Sequence, residues 1–167
     1  MVLLHGGFGS IADFEPLLPR LLQHYRVIAV DTRGHRRSTL GTTALTYAQA
    51  ADDVRQILRN ESVENYSLFG FSDGGITAYR LGAEDENVEK IITVGAEWHQ
   101  KHLNRVRSMF EALNLNIVKE KLSEQLAAYQ AANPEPDAEK WIAALKAMWL
   151  EDRKSTRLNS SHLELSR

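Results

Sequence analysis

The 167-residue chain contains no cysteine, which excludes a disulfide framework, a thiolate nucleophile and a zinc ribbon. No apolar run approaches the ~20 residues that span a bilayer, and only Val2, Leu3 and Leu4 precede the first polar residue, too few for a secretory h-region. An excess of one charge is also lacking. Twenty Lys and Arg against 22 Asp and Glu leave a net charge of −2, too balanced for a nucleic-acid-binding surface. No His/Asp/Glu cluster shows ligand spacing, so neither a metal nor another cofactor is expected. What remains is ordinary globular composition, 43% hydrophobic and 25% charged, which argues against a disordered chain. The length suits one domain, with no internal repeat. These features predict a soluble, cytoplasmic protein whose partner is a small molecule rather than nucleic acid or membrane. The sequence is silent on oligomeric state.

The order of elements comes from periodicity. Val2–Leu4 is a short apolar run ending in His5-Gly6-Gly7-Phe8-Gly9. Phe14, Leu17, Leu18, Leu21 and Leu22 then fall at helical spacing and predict a helix burying one stripe, with Pro16 tolerated near its first turn and Pro19 pointing to a late start. Arg26–Val30 is β-branched and apolar, a buried strand ending at Asp31. Thr46 with Gln49 three residues on spells a capping box, whose helix turns Tyr47, Ala50, Val54, Ile57 and Leu58 inward. Tyr66–Phe71 is the third strand, Ser72–Leu81 opens the next helix, and Val88–Val94 is the fourth strand. Strands alternating with helices over short connections predict an α/β fold: a parallel β-sheet, right-handed crossovers and helices on both faces. From residue 97 to 151 strands vanish, and helical stripes such as Leu103, Val106, Phe110 and Leu113, then Trp141, Leu145 and Met148, take over. Asp137 follows a Pro-rich break as an N-cap. Residues 1–96 therefore form the core and 97–151 a helical cap or lid, or else further helices of the same domain.

Residues 152–167 stand apart. Back-translated, Asp152 to His162 match a common short-read sequencing adapter codon for codon, and Leu165, Ser166 and Arg167 fit its continuation. The segment is expected to be a non-native tail with the natural frame interrupted near residue 151, and it is set aside from fold reasoning.

The chemistry centres on Gly70-Phe71-Ser72-Asp73-Gly74, a G-x-S-x-G sequence between a strand and a helix. A serine on so sharp a turn adopts a strained backbone, and the flanking glycines remove side-chain clashes. The turn lifts the hydroxyl above the sheet beside a helix N-terminus, where an anion is favoured. The glycine-rich turn after the first strand, His5–Gly9, can point backbone N–H groups into the same cleft, as an oxyanion hole requires. A lone glycine turn is a weak signal, since such turns also cradle phosphates. Phe8 and Phe71 flank these turns and Trp98 stands at the hinge into the helical segment, and all three are candidate substrate-binding side chains.

Together the two turns resemble the α/β-hydrolase family over residues 1–97. Asp31-Thr32-Arg33-Gly34-His35-Arg36-Arg37-Ser38 is similar to the D-x-R-G-x-G-x-S segment that many members carry. Arg36 stands where that pattern has a glycine, so either the loop is distorted there or the position is a sequence error. The GFSDGG elbow most resembles the valacyclovir-hydrolase-like and related esterase branches. The resemblance implies a partial α/β-hydrolase fold truncated at both ends, with four visible strands that would be the third to sixth, ordered 4-3-5-6. It implies Ser72 as the nucleophile and the backbone N–H groups of Gly7 and Asp73 as the oxyanion hole. The implied activity is a serine hydrolase cleaving a carboxylic ester, amide or thioester through an acyl-enzyme. The competing expectation is a non-catalytic binding protein of the same fold.

The triad acid and histidine are expected to be absent from this chain, because the family order is Ser, then acid, then His. His5, His24 and His35 precede the serine. His99 and His102 open the helical segment, and His162 lies in the tail. Glu97 is either an acid in a variant arrangement or a hinge of the lid. Asp73 either meets a cationic group on a substrate or favours the helix N-terminus. Arg33, Arg36 and Arg37 either contact an anion or are solvated. Trp141 and Trp149 line an acyl pocket or pack in the core. Missing neighbours would leave both sheet edges bare, an aggregation liability.

Overall fold

The computed structural model describes residues 1–97 and 100–151. Trp98, His99 and the tail 152–167 lie outside the described residues. Strands β1 (Val2–Leu4), β2 (Ile28–Val30), β3 (Tyr66–Phe71) and β4 (Val88–Val94) form one parallel sheet in the order β2-β1-β3-β4. That is the order expected from the sequence. β1 is central and fully buried, and the connections leave it toward β2 on one side and return to β3 on the other. The carboxyl ends of β1 and β3 therefore meet at a topological switch point, where open α/β sheets bind ligands.

The two faces of the sheet are covered unequally. Helices α2 (Tyr47–Asn60) and α3 (Asp73–Glu84) cover one face, packing Ala51, Val54, Leu58, Ala78 and Leu81 against Val2, Leu4, Val30 and Leu68. At the start of α2, Thr46 accepts the Gln49 N–H at 3.0 Å. The Gln49 side chain bonds Asp53 instead of returning to the cap, so half of the expected box forms. On the other face Phe14 meets Phe69 edge-on at 6.0 Å. Farther along the same face Phe71, Ile92 and Val94 are 48%, 48% and 49% exposed.

The stripe from Phe14 to Leu22 departs from expectation. Prolines 16 and 19 break it into a 3₁₀ turn, Ile11–Phe14, and a single helical turn, α1 (Leu18–Leu21). A proline offers no N–H to an intrahelical bond and clashes with the preceding turn. Only Phe14 is buried, while Leu17 and Leu22 are exposed. The second strand spans Ile28–Val30 of its Arg26–Val30 run, while Arg26 O accepts the Met1 amino group and Ile28 N–H bonds Met1 O.

Beyond residue 97 the chain is helical: α4 (Gln100–Ala112), α5 (Leu115–Lys121), α6 (Ser123–Ala132) and α7 (Ala138–Glu151). Asn114 caps α5 with 3.0 and 3.1 Å bonds, and Asp137 caps α7 by accepting the Lys140 N–H. Asn133 donates to Ser38 O at 3.0 Å, tying the segment to the loop after β2. Its apolar faces join Leu45, Tyr47 and Ile76 in one cluster, with Val118, Leu126, Tyr129, Trp141, Leu145 and Trp149 buried together. Tyr129 stacks on Trp141 at 4.1 Å. These helices thus share a core with the β-α unit beneath them.

Candidate active site

Ser72 ends β3 and precedes α3 with φ 51° and ψ −114°, a conformation that costs of order 1–3 kcal/mol in a non-glycine residue. Its surroundings over-determine that conformation. Ser72 N–H donates to Val94 O at 2.9 Å, and Ser72 O accepts from Gly75 and Ile76 at 2.9 and 3.1 Å. The flanking glycines are required by close approach. A Cβ at Gly70 would lie 2.5 Å from Gly74 O, and one at Gly74 would run into the backbone carbonyl of Leu4 and lie 2.7 Å from His5 O. The Ser72 hydroxyl does not cap the helix that it precedes. It is half-buried at the end of α3 that carries the unsatisfied N–H groups and the positive end of the dipole.

The turn after β1 sits beside it. A Cβ at Gly6 would be 3.1 Å from Ser72 Cβ. Gly9 N–H closes the turn onto Gly6 O at 3.0 Å, with Phe8 at its third position in the left-handed region, φ 60°. Glycine usually fills such a position. Phe8 is held there by packing, its ring edge-on to Trp141 at 5.0 Å and to Trp149 at 5.6 Å. Asp31 anchors the far end by accepting the Ile11 N–H at 2.9 Å.

Beneath the turn lie two buried histidines. Thr32 N–H donates to His5 Nε2 at 3.1 Å, so the His5 proton is on Nδ1, which donates to Gly6 O at 2.7 Å. Burial pushes the His5 pKa down. His35 is pushed down to about 3, by burial first and then by neighbouring His5. Its Nδ1 lies 3.1 Å from both Arg33 O and Thr32 Oγ1, and its Nε2 has no partner among the described residues. Both rings are neutral scaffolding. A cavity of about 20 Å³ lies between them and Asp73, lined also by Tyr47, Thr32 and Thr77.

The structure brings Ser72, Gly7, Asp73 and Phe8 together. Phe71 also adjoins the turn, its Cδ1 3.0 Å from a Cβ built on Gly6. Trp98 is outside the described residues, and Glu97 is exposed. Of the loop arginines, Arg33 binds Asp53 through two bonds of 2.8 and 2.6 Å, Arg37 is exposed, and Arg36 holds φ 45°. Trp141 and Trp149 are buried core residues, yet both touch Phe8. Sequence reasoning missed the partners of Asp73: Tyr47 Oη and Trp149 Nε1 donate to its two oxygens, each at 2.7 Å. A buried tyrosine and tryptophan, each needing an acceptor, were the available signal.

Comparison with known proteins adds to this geometry. Residues 1–161 match the sequence profile of the alpha/beta hydrolase fold. Over 95 residues the chain is 30% identical to a putative esterase/lipase of Haemophilus influenzae, covering 56% of this chain and 33% of that protein. Over 115 residues it is 27% identical to esterase YbfF of Escherichia coli, covering 68% and 45%. Among solved structures, the enol-lactonase from Burkholderia xenovorans superposes with a TM-score of 0.65 at 18% identity, over 92% of this chain and 65% of that one. The chain thus spans a third to under half of the length of these curated relatives. The structural likeness speaks to the fold alone. Among the described residues, no helix is long and apolar enough to cross a membrane.

Proposed function

Because the chain belongs to the α/β-hydrolase fold family, we propose that it carries the nucleophile half of a serine hydrolase cleaving a carboxylic ester, or an amide or thioester. Ser72 Oγ attacks the carbonyl carbon, and the N–H groups of Gly7 and Asp73 bind the oxyanion that forms. The Ser72 proton passes to the base that this reading puts outside the chain, and from it to the leaving alcohol, amine or thiol as the bond from that group to the carbonyl carbon breaks. Water then hydrolyses the acyl-enzyme to the acid and free Ser72. Helices α4–α7 act as the cap, and Phe8 and Phe71 contact the substrate, with Trp98 as a further contact. The strained Ser72 beside a glycine turn carries this reading, since such strain is characteristic of functional sites.

His5, His24 and His35 do not suit the role of base. His5 is bonded through both nitrogens, His35 is buried, and His24 lies in the exposed turn after α1. The reading therefore puts the triad acid and histidine outside this chain and makes the chain alone inactive. An incomplete triad retains only ~10³–10⁴ of acceleration over water. A fluorophosphonate probe tests this on a longer protein that includes the chain. Stoichiometric labelling, lost in Ser72→Ala, is expected, with no labelling of the chain alone. A longer protein that binds ligand but never labels would overturn the proposal in favour of a non-catalytic binding protein.

A further inference from the structure

The side chain that follows the nucleophile joins four parts of the molecule. Tyr47, from the first turn of α2, donates to Asp73 Oδ1, and Trp149, from the last turn of α7, donates to Oδ2, each at 2.7 Å. Both donors are buried, at 2% and 6% exposure, and both bonds end on a carboxylate, the stronger class of hydrogen bond. An acidic residue at a helix N-terminus is favoured without any such partners, so the dipole does not explain the arrangement. The indole in turn lies on the turn after β1. A Cβ at Gly7 would sit 2.5 Å from Trp149 Cζ2 and 2.7 Å from Asp73 Oδ2. Phe8 and Phe110 pack on the same indole at 5.6 and 4.7 Å.

We propose that Asp73 is a positioning residue: its carboxylate latches α7 over the nucleophile turn and holds the Trp149 indole as a fixed wall against Gly7 and Phe8. Gly7 is then glycine because the wall occupies the space of a side chain. With α7 seated, a substrate ammonium would have to displace the indole to reach Oδ2. The latch deepens the acyl-transfer reading of the same site, but its test needs no turnover, so either can fail without the other.

Heteronuclear NMR of the full labelled chain tests the latch through the indole N–H signals of its three tryptophans, with Trp149→Phe assigning the relevant one. In Asp73→Asn, the Trp149 signal should move and its solvent exchange should quicken by about fivefold to tenfold, as for exchanging a charge-assisted hydrogen bond for a neutral one. The Trp141 signal should stay in place. The Gly7 amide should shift in both variants. An unchanged Trp149 signal, or a uniform change in all three indoles, would overturn the latch. If Asp73→Asn does not fold, Trp149→Phe decides alone: faster amide exchange at the end of α7 with a shifted Gly7 amide supports it, and no change refutes it. Valine ethyl ester serves as a cationic probe. No saturable shift of the Trp149 signal is expected, and a shift abolished by Asp73→Asn would assign Asp73 to cation binding instead.

Discussion

Replacing Arg36 by glycine should stabilise the protein. Arg36 holds φ 45°, where the clash of Cβ with the carbonyl oxygen costs about 1–2 kcal/mol. Its neighbours fix that backbone: Ser38 N–H donates to His35 O at 2.8 Å, and His35 N–H donates to Thr32 O at 2.9 Å. Glycine removes the clash but gives the unfolded chain more freedom, an offset of roughly 0.5–1 kcal/mol. The net gain is about 0.5–1 kcal/mol, which raises Tm by about 1–4 °C in a chain of this size. Arg36→Ala is the control, because it deletes the guanidinium and keeps the Cβ. In urea unfolding followed by tryptophan fluorescence, the alanine variant should stay within about 0.5 kcal/mol of the parent. The glycine variant should unfold at higher urea with an unchanged slope. Equal midpoints for glycine and alanine would refute the strain argument, since only the backbone term separates them.

Four further outcomes follow from the same geometry. Because burial pushes the folded-state pKa of His35 down to about 3 from an ordinary 6.5, protons bind the unfolded chain first as pH falls. Stability is full above pH 6.5 and declines toward pH 3, by about 2 kcal/mol from pH 7 to 5 for this one group. His35→Gln should flatten that decline in urea titrations at the two pH values, and identical slopes would count against it. Gly74→Ala sets a methyl against the Leu4 carbonyl, so a loss above about 3 kcal/mol, or no folded protein by circular dichroism, is expected. Arg33→Met breaks a two-bond pair whose side chains are 21% and 24% exposed. It should cost about 1–3 kcal/mol, between surface and buried cases, and a double-mutant cycle with Asp53→Asn should show the coupling. Ile92→Thr and Val94→Lys, on the open sheet face, should change stability by no more than about 0.5 kcal/mol yet reduce light scattering from self-association.

The parts of the fold legible in the sequence were those fixed by local spacing. The third strand falls where its apolar and aromatic run does and the fourth where its β-branched run does, and Tyr47, Ala50, Val54 and Leu58 are inward because a helix of period 3.6 puts them on one stripe. The segment Phe14–Leu22 shows where that logic stops. Its stripe is correctly spaced, but Pro16 and Pro19 deny the backbone a helix, and two of its leucines face solvent. At the site, the glycines were legible because close approach leaves no room for a Cβ. The Trp149–Asp73 bond was not, since a contact across 76 residues depends on how α7 docks, which no spacing encodes.

Among the described residues, three of the four non-glycine residues with positive φ lie around one cleft, the fourth being Ser62 just after α2. Phe8 and Ser72 hold positive φ on the two turns that meet at the switch point, and Arg36 does so in the loop beside His35. Local preference works against all three, so tertiary contacts must hold them. For Ser72 those contacts are backbone hydrogen bonds to β4 and α3, independent of the helices beyond residue 97. For Phe8 they are the rings of Trp141 and Trp149, which belong to α7. The nucleophile turn is therefore set by the sheet, whereas the proposed oxyanion turn, closed by its own Gly9–Gly6 bond, also leans on α7 through Phe8. Any motion that lifts α7 should relax Phe8 and Gly7 before it touches Ser72.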